Sequence, residues 1–316
     1  MKSNEKIIQY ANFNITFGDD SMPMLEFFDE ILMPAFTSVG LKRGKDTDRS
    51  RFGFDEVIVK EIDGLFVLCG NIVKETTLER LTTFSQDKGL ESSPAQMDTA
   101  PYSRFMIFLE NHRMLLIRNE PDSPDIRSFQ ATVRDILAQY IRKQNNENRT
   151  ADTFPYAMVN IVDIPLSGDI DNILRGVRKI WSVRWRFFPL NGDINYGDMF
   201  KEISSFRSGL GSPNAYLSCT SPNSGETLQG AINDTVGRGL AEVRLDVTDS
   251  NGKRSKIKED KFTTSDKMTV AGDISSEDDN RLVTIAKDVP ELQRKSEGNT
   301  QIYNRFLSTI RKWANK

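Results

Sequence analysis

The opening stretch IIQYANFNITF alternates apolar and polar residues with a period of two, and it predicts a strand. From residue 21 to 36 the period changes. Leu25, Phe28, Ile31 and Leu32 fall on one face, so a helix is predicted, capped by Ser21 and ended or kinked at Pro34. Residues 41–51 are polar and read as a loop. Residues 56–62 and 65–73 are strand-like and flank Asp63-Gly64, a hairpin turn. Residues 76–84 predict a short helix and 87–100 a loop. A second hairpin follows, 104–109 and 113–118, turning at Glu110-Asn111-His112. Ser123 and Pro124 then open a long helix striped by Ile126, Phe129, Val133, Ile136, Leu137, Tyr140 and Ile141.

Residues 144–153 (QNNENRTADT) have no apolar pattern and read as a linker. Beyond them the pattern predicts a strand at 156–164, a helix at 169–181 and a strand at 184–188. A helix at 198–208, a short strand at 216–219 and a helix at 225–236 follow. A hairpin of 242–248 and 255–261 turns at 249–252. The end of the chain, 279–313, is helical with a break at 296–299. The reading is an α+β protein with antiparallel sheets and flanking helices, in two lobes. The lobes are residues 1–143 and 154–316, and 144–153 joins them.

Composition narrows the chemistry. Hydrophobic residues make up 38% and charged residues 28%, enough for a packed core, and the net charge is -3. Cys69 and Cys219 stand far apart without CxxC spacing, which excludes a disulfide framework and a structural zinc site built on such pairs. The N-terminus has no apolar signal core, and no apolar run approaches the ~20 residues of a membrane span. A cytoplasmic protein is expected. His112 is the sole histidine, so a Ser-His-Asp site would have to use it. It lies at an expected hairpin tip, where a polar residue needs no functional reason. No GxxxxGK[ST] or strand-linked GxGxxG loop is present. Gly237-Arg238-Gly239 reads as a helix stop before a strand. No cofactor and no enzymatic activity are expected.

One segment stands out against the acidic balance. From Arg175 to Arg186 the chain carries five basic residues, no acid and two of its three tryptophans, Trp181 and Trp185. On the predicted helix Arg175, Arg178 and Lys179 share one face, opposite Leu174, Val177, Ile180 and Trp181. Beyond it Arg184 and Arg186 alternate with Trp185 and Phe187. Guanidinium groups fit phosphates, and clustered cations release condensed counterions. These five residues are the candidate contacts to double-stranded DNA, with Lys253, Arg254 and Lys256 of the later hairpin beside them. The same pattern also suits a helix and strand whose arginines pair with distant acids. Two rival readings exist. One is a metal-dependent nuclease using Asp249, Glu259 and Lys261. The other is a protein-interaction module, because Trp and Arg are enriched at interface hot spots.

The order of elements resembles that of the RexA-type phage-exclusion proteins. The matching stretches are VKEIDGLFVL at 59–68, SRFMIFLENHRMLLIRNEPDSPDIRSFQATVRDIL at 103–137, VRLDVTDSNGKRSKIKEDKF at 243–262 and the closing helix at 304–313. The resemblance implies a cytoplasmic, two-lobed α+β homodimer. It implies DNA binding with little sequence preference and a role in phage exclusion beside a membrane protein partner. It transfers no binding residue position by position.

Overall fold

A computed structural model describes residues 3–45, 47–87, 89–147, 153–165, 169–191, 198–223, 226–258 and 266–316. The strands in the first 118 residues are β1 (Ser3–Phe17), β2 (Met22–Pro23), β3 (Ser50–Ile62), β4 (Leu65–Ser85), β5 (Gly89–Thr99), β6 (Tyr102–Phe108) and β7 (Arg113–Arg118). Helix α1 (Met33–Thr37) falls between β2 and β3, and α2 (Ile126–Glu147) follows β7. Next come β8 (Ala157–Asp163), α3 (Asp169–Arg175), β9 (Val177–Phe187), α4 (Asp198–Gly209), β10 (Ala215–Thr220) and α5 (Glu226–Thr235). The chain closes with β11 (Ala241–Asp249), β12 (Arg254–Lys258), β13 (Asp266–Ala271), α6 (Asp279–Asp288), α7 (Pro290–Gln293) and α8 (Glu297–Ala314).

Two antiparallel sheets result. The large one runs β13-β1-β7-β6-β4-β3, with β2 and β8 also on β1 and β5 on β4. The small one runs β10-β9-β11-β12. The α+β, two-lobed expectation holds, but the lobes divide elsewhere. Strands β8 and β13, both beyond residue 153, pair with β1. The second lobe, 169–258, is therefore inserted into the first, and residues 144–153 do not separate two cores. Residues 144–147 continue α2, and the Asn145 side chain both donates to the Phe154 carbonyl and accepts its N–H. Residues 148–152 lie outside the described residues.

One face of the large sheet buries Phe13, Phe105 and Phe129 with Phe36 of α1 and Ile310 of α8. The other buries Tyr10, Met106 and Leu115 against Leu282, Val283 and Leu292 of α6 and α7. The small sheet has its own core, Val183, Trp185, Val243 and Leu245 under Ile170 of α3 and Ile232 of α5.

Several local expectations are corrected. Ser21 has positive φ and caps nothing; residues 24–32 form a 3-10 turn and a π turn that lead into α1. Pro34 sits in the first turn of α1, and the Glu30 carbonyl that it cannot serve accepts the Tyr140 hydroxyl at 3.3 Å. The helix expected at 76–84 and the loop at 87–100 are instead a two-stranded ribbon, the far half of β4 with β5. Threonines at 76, 77, 82 and 83 favour strand, and Pro94 falls at a register shift. The cap of α2 is Asp125, which accepts from the Ser128 N–H at 2.8 Å, rather than Ser123.

Two buried polar groups fix the helices to the large sheet. Arg104, 1% exposed on β6, donates from Nε and Nη2 to the two carboxylate oxygens of Asp279 at 2.6 and 2.7 Å. Lys60 reaches the same carboxylate at 2.6 Å, and Asn71 Oδ1 accepts from Arg104 at 3.2 Å. His112 is not at an exposed tip; it is 1% exposed, and its Nδ1 accepts from Asn299 Nδ2 of α8 at 3.1 Å. Burial, aided by the Arg113 charge, pushes its pKa down to about 3.

Asp279→Ala leaves Arg104 buried without its partner and should cost about 3–5 kcal/mol in urea unfolding. The paired replacement Arg104→Met with Asp279→Leu should cost clearly less. His112 sets an acid limit. Its folded pKa lies below the unfolded value, so the unfolded chain takes up the proton first. Its contribution is flat above the unfolded pKa, near 6.5, and stability falls by up to ~1.4 kcal/mol per pH unit down to the folded value of about 3. His112→Asn, which also tolerates the positive φ, should remove that part of the acid dependence in unfolding curves taken between these limits.

Candidate nucleic-acid interface

The basic segment is mostly strand. Helix α3 stops at Arg175 and Gly176, and β9 starts at Val177. Ile180, Val183, Trp185 and Phe187 then face the core, as β-branched and aromatic residues in a half-buried strand do. The helical stripe of Arg175, Arg178 and Lys179 therefore does not exist. Arg175 is exposed at the end of α3, and Arg178 is exposed at the irregular start of β9, where the register with β11 shifts.

Register brings a different set together. Arg184 pairs with Arg244 of β11, and Arg244 pairs with Lys258 of β12. Cross-strand partners share a face, so three cations form a row across three strands. Beside this row Ser182, Asp246 and Lys256 are aligned. On its other side stand Tyr216 of β10, Arg186 and Glu242. Beyond Asp246, Lys179, Thr248 and Arg254 are in register, and Trp181 joins them through Nε1 donating to Thr248 Oγ1 at 2.9 Å. Among the described residues the polar face of this sheet thus carries seven cationic side chains and two carboxylates.

The members differ in what they can do. Arg186 is engaged in holding the fold. Its Nε donates to Glu242 Oε2 at 2.8 Å and its Nη2 to Oε1, while Nη1 reaches Asn214 at 2.8 Å and Asn160 at 3.3 Å. Arg254 grips Asp246 with Nε and Nη2 at 3.0 and 2.6 Å, and this hydrogen bonding holds the Asp246 carboxyl below the usual carboxylate range. Arg254 is still 61% exposed. Arg184, Arg244, Lys256 and Lys258 are exposed and join no ion pair among the described residues. Arg184 lies 4.2 Å from the centroid of the Tyr216 ring, and Lys179 lies 3.6 Å from that of Trp181. Arg184, Arg186, Tyr216, Glu242 and Arg244 line a pocket of about 100 Å³. Lys253 is at the tip of the β11–β12 turn, apart from the row.

Arg244, Lys258 and Tyr216 thus join the candidates. The alternation in VRLDVT carried the signal for Arg244, because it puts Arg244 opposite Val243 and Leu245; its partner strands could not be read locally. Of the two tryptophans in this segment, Trp185 is 4% exposed and donates to Thr235 Oγ1, whereas Trp181 is half-buried at the polar face. Of the nuclease candidates, Asp249 accepts the N–H groups of Asn251 and Lys253 at 2.9 Å each and so organises its own turn. Glu259 and Lys261 lie outside the described residues. No group of three or more His, Cys, Asp or Glu with metal-holding geometry occurs among the described residues. No described helix is long and apolar enough to cross a membrane.

No family model matches the chain, and no curated protein matches it.

Arg186 and Arg244 are one residue type on one face with opposite roles. Arg186→Ala strands the half-buried Glu242 and should cost about 1–3 kcal/mol in urea unfolding. Arg244→Ala should change stability by no more than about 0.5 kcal/mol.

Proposed function

We propose that this protein binds DNA without enzymatic chemistry and with little sequence preference, through phosphate contacts on the polar face of the small sheet. The carrying observation is the aligned row Arg184–Arg244–Lys258, with Lys256 beside it, in a chain of net charge -3. Cations on neighbouring strands sit about 5 Å apart, so several can neutralise one polyanion at once. Nothing in this row reads a base edge, which is why sequence should matter little. Lys179 and Arg254 extend the cationic surface, and Arg186 shapes it without contacting phosphate. The resemblance to RexA-type proteins supports a cytoplasmic role in phage exclusion, a homodimer, DNA as the target and a membrane protein partner.

Fluorescence anisotropy with labelled DNA at rising salt tests the reading. Affinity should fall steeply with salt for unrelated sequences alike. Replacing Arg244, Lys256 and Lys258 by alanine should flatten the log–log slope by about one unit per residue. Replacing Arg175 and Arg178 should flatten it less. An unchanged slope in the first variant would remove this face from the interface. Magnesium-dependent cleavage of the DNA, lost in Glu259→Ala, would replace the binding reading by the nuclease one.

A further inference from the structure

The small sheet turns its helices to one side. Ile170 of α3 and Ile232 of α5 pack on the face that holds Val183, Trp185, Val243 and Leu245. Among the described residues, the polar face presents the cations, carboxylates and rings named above. Duplex recognition in the major groove uses a helix or a two-stranded ribbon that enters the groove. The elements that pack on this sheet lie behind it. A sheet surface offering aromatic rings among cations suits a different target, a strand whose bases are unstacked.

Two rings meet that description. Tyr216 is 54% exposed on β10, and Trp181 is half-buried near the other end of the face. The Arg184–Arg244–Lys258 row and the Ser182–Asp246–Lys256 row run between them. Each ring has a cation against it, Arg184 at Tyr216 and both Lys179 and Arg254 at Trp181, the last 4.9 Å from the ring centroid. Glu242, which lines the same pocket as Tyr216, is held by Arg186 and so opposes a phosphate less than a free acid would. In a duplex the base faces are hidden in the stack, and Tyr216 would have nothing to pack on.

We propose that this face takes single-stranded nucleic acid, with a base stacked on Tyr216 and the sugar–phosphate chain following Arg184, Arg244 and Lys258. The inference rests on the reading of the face as a nucleic-acid interface, and it names the form of the ligand. Trp181 serves as the second platform at the far end. Stacking on a ring tolerates any base, so the lack of sequence preference is kept.

The test uses the full chain and labelled oligothymidylate of about 12 nucleotides, a length within the usual range of single-strand sites. A duplex of the same length is measured beside it. The single strand should bind more tightly than the duplex. Tyr216→Leu should weaken single-strand binding about tenfold and duplex binding far less, and Tyr216→Phe should keep full affinity. Circular dichroism checks that the exposed edge-strand substitution leaves the fold intact. Equal affinity for both forms, with no effect of Tyr216→Leu on either, overturns the single-strand proposal while nucleic-acid binding stands. Full competition by polyglutamate at equal charge also overturns it, because the face would then take any polyanion. Absence of salt-sensitive binding to either form overturns the underlying reading as well.

Discussion

Strand β1 carries the constraint on which both lobes depend. One of its faces is apolar from Ala11 onward, with Ala11, Phe13, Ile15 and Phe17 in the main core. The other face changes character midway. Ile8 and Tyr10 join the second core, and then Asn12, Asn14 and Thr16 follow, all at 0% exposure. The polar half is where the inserted lobe docks. Asn12 Nδ2 donates to the Gly239 carbonyl at 2.9 Å, and Asn14 Nδ2 to the Pro189 carbonyl at 2.6 Å. Buried amides without such partners would each cost on the order of 1–3 kcal/mol, so the docking geometry is strongly selected.

Those two carbonyls lie just past the end of β9 and just before the start of β11. The central pair of strands in the small sheet is thereby tied to β1 at one end. Gly239 has φ of +66°, and a Cβ there would sit 2.8 Å from that of Asn12. Only glycine allows the chain to turn and approach so closely. Ile164 N–H donates to the Tyr10 carbonyl at 2.8 Å and ties down the entry to the lobe. Arg186 extends the joint, since Asn160 of β8 lies within its reach. The cationic row begins one cross-strand step from this anchored end, which fixes where the row stands relative to the large sheet.

The sequence shows the periodic elements and hides what depends on distant partners. Alternation and turn residues give both hairpins of the first lobe, β8, β10 and β11. Alternation does not reveal the burial of Asn12 and Asn14, because a polar residue on an alternating strand looks solvent-facing until another lobe covers it. His112 fails for that reason too. The 176–181 stretch fits either period, since Val177, Ile180 and Trp181 are spaced as a helical face and also supply strand-forming residues; Gly176 and pairing with β11 decide for strand. The ribbon of β4 and β5 was concealed by its Ser, Pro and charge content, which resembles a loop. Basic residues of the candidate interface were visible as a type. Their membership was not, because register across β9, β11 and β12 chooses Arg184, Arg244 and Lys258 and assigns Arg186 to Glu242.

An acidic chain can hold a phosphate-binding face because charge acts locally in salt water. The Debye length is about 8–10 Å at physiological ionic strength, roughly the distance across the three cations of the row. A charge farther away than that is largely screened and weakens the field over the sheet little. The arrangement of Glu242 and Asp246 sharpens the effect. Each is gripped by an arginine of the same face, so neither stands as a bare anion next to an incoming phosphate. On the proposed reading, the overall negative charge repels a polyanion from other surfaces and leaves this one favoured. Orientation, more than total charge, is what the small sheet contributes, and it depends on the buried amides of β1 that hold the lobe in place.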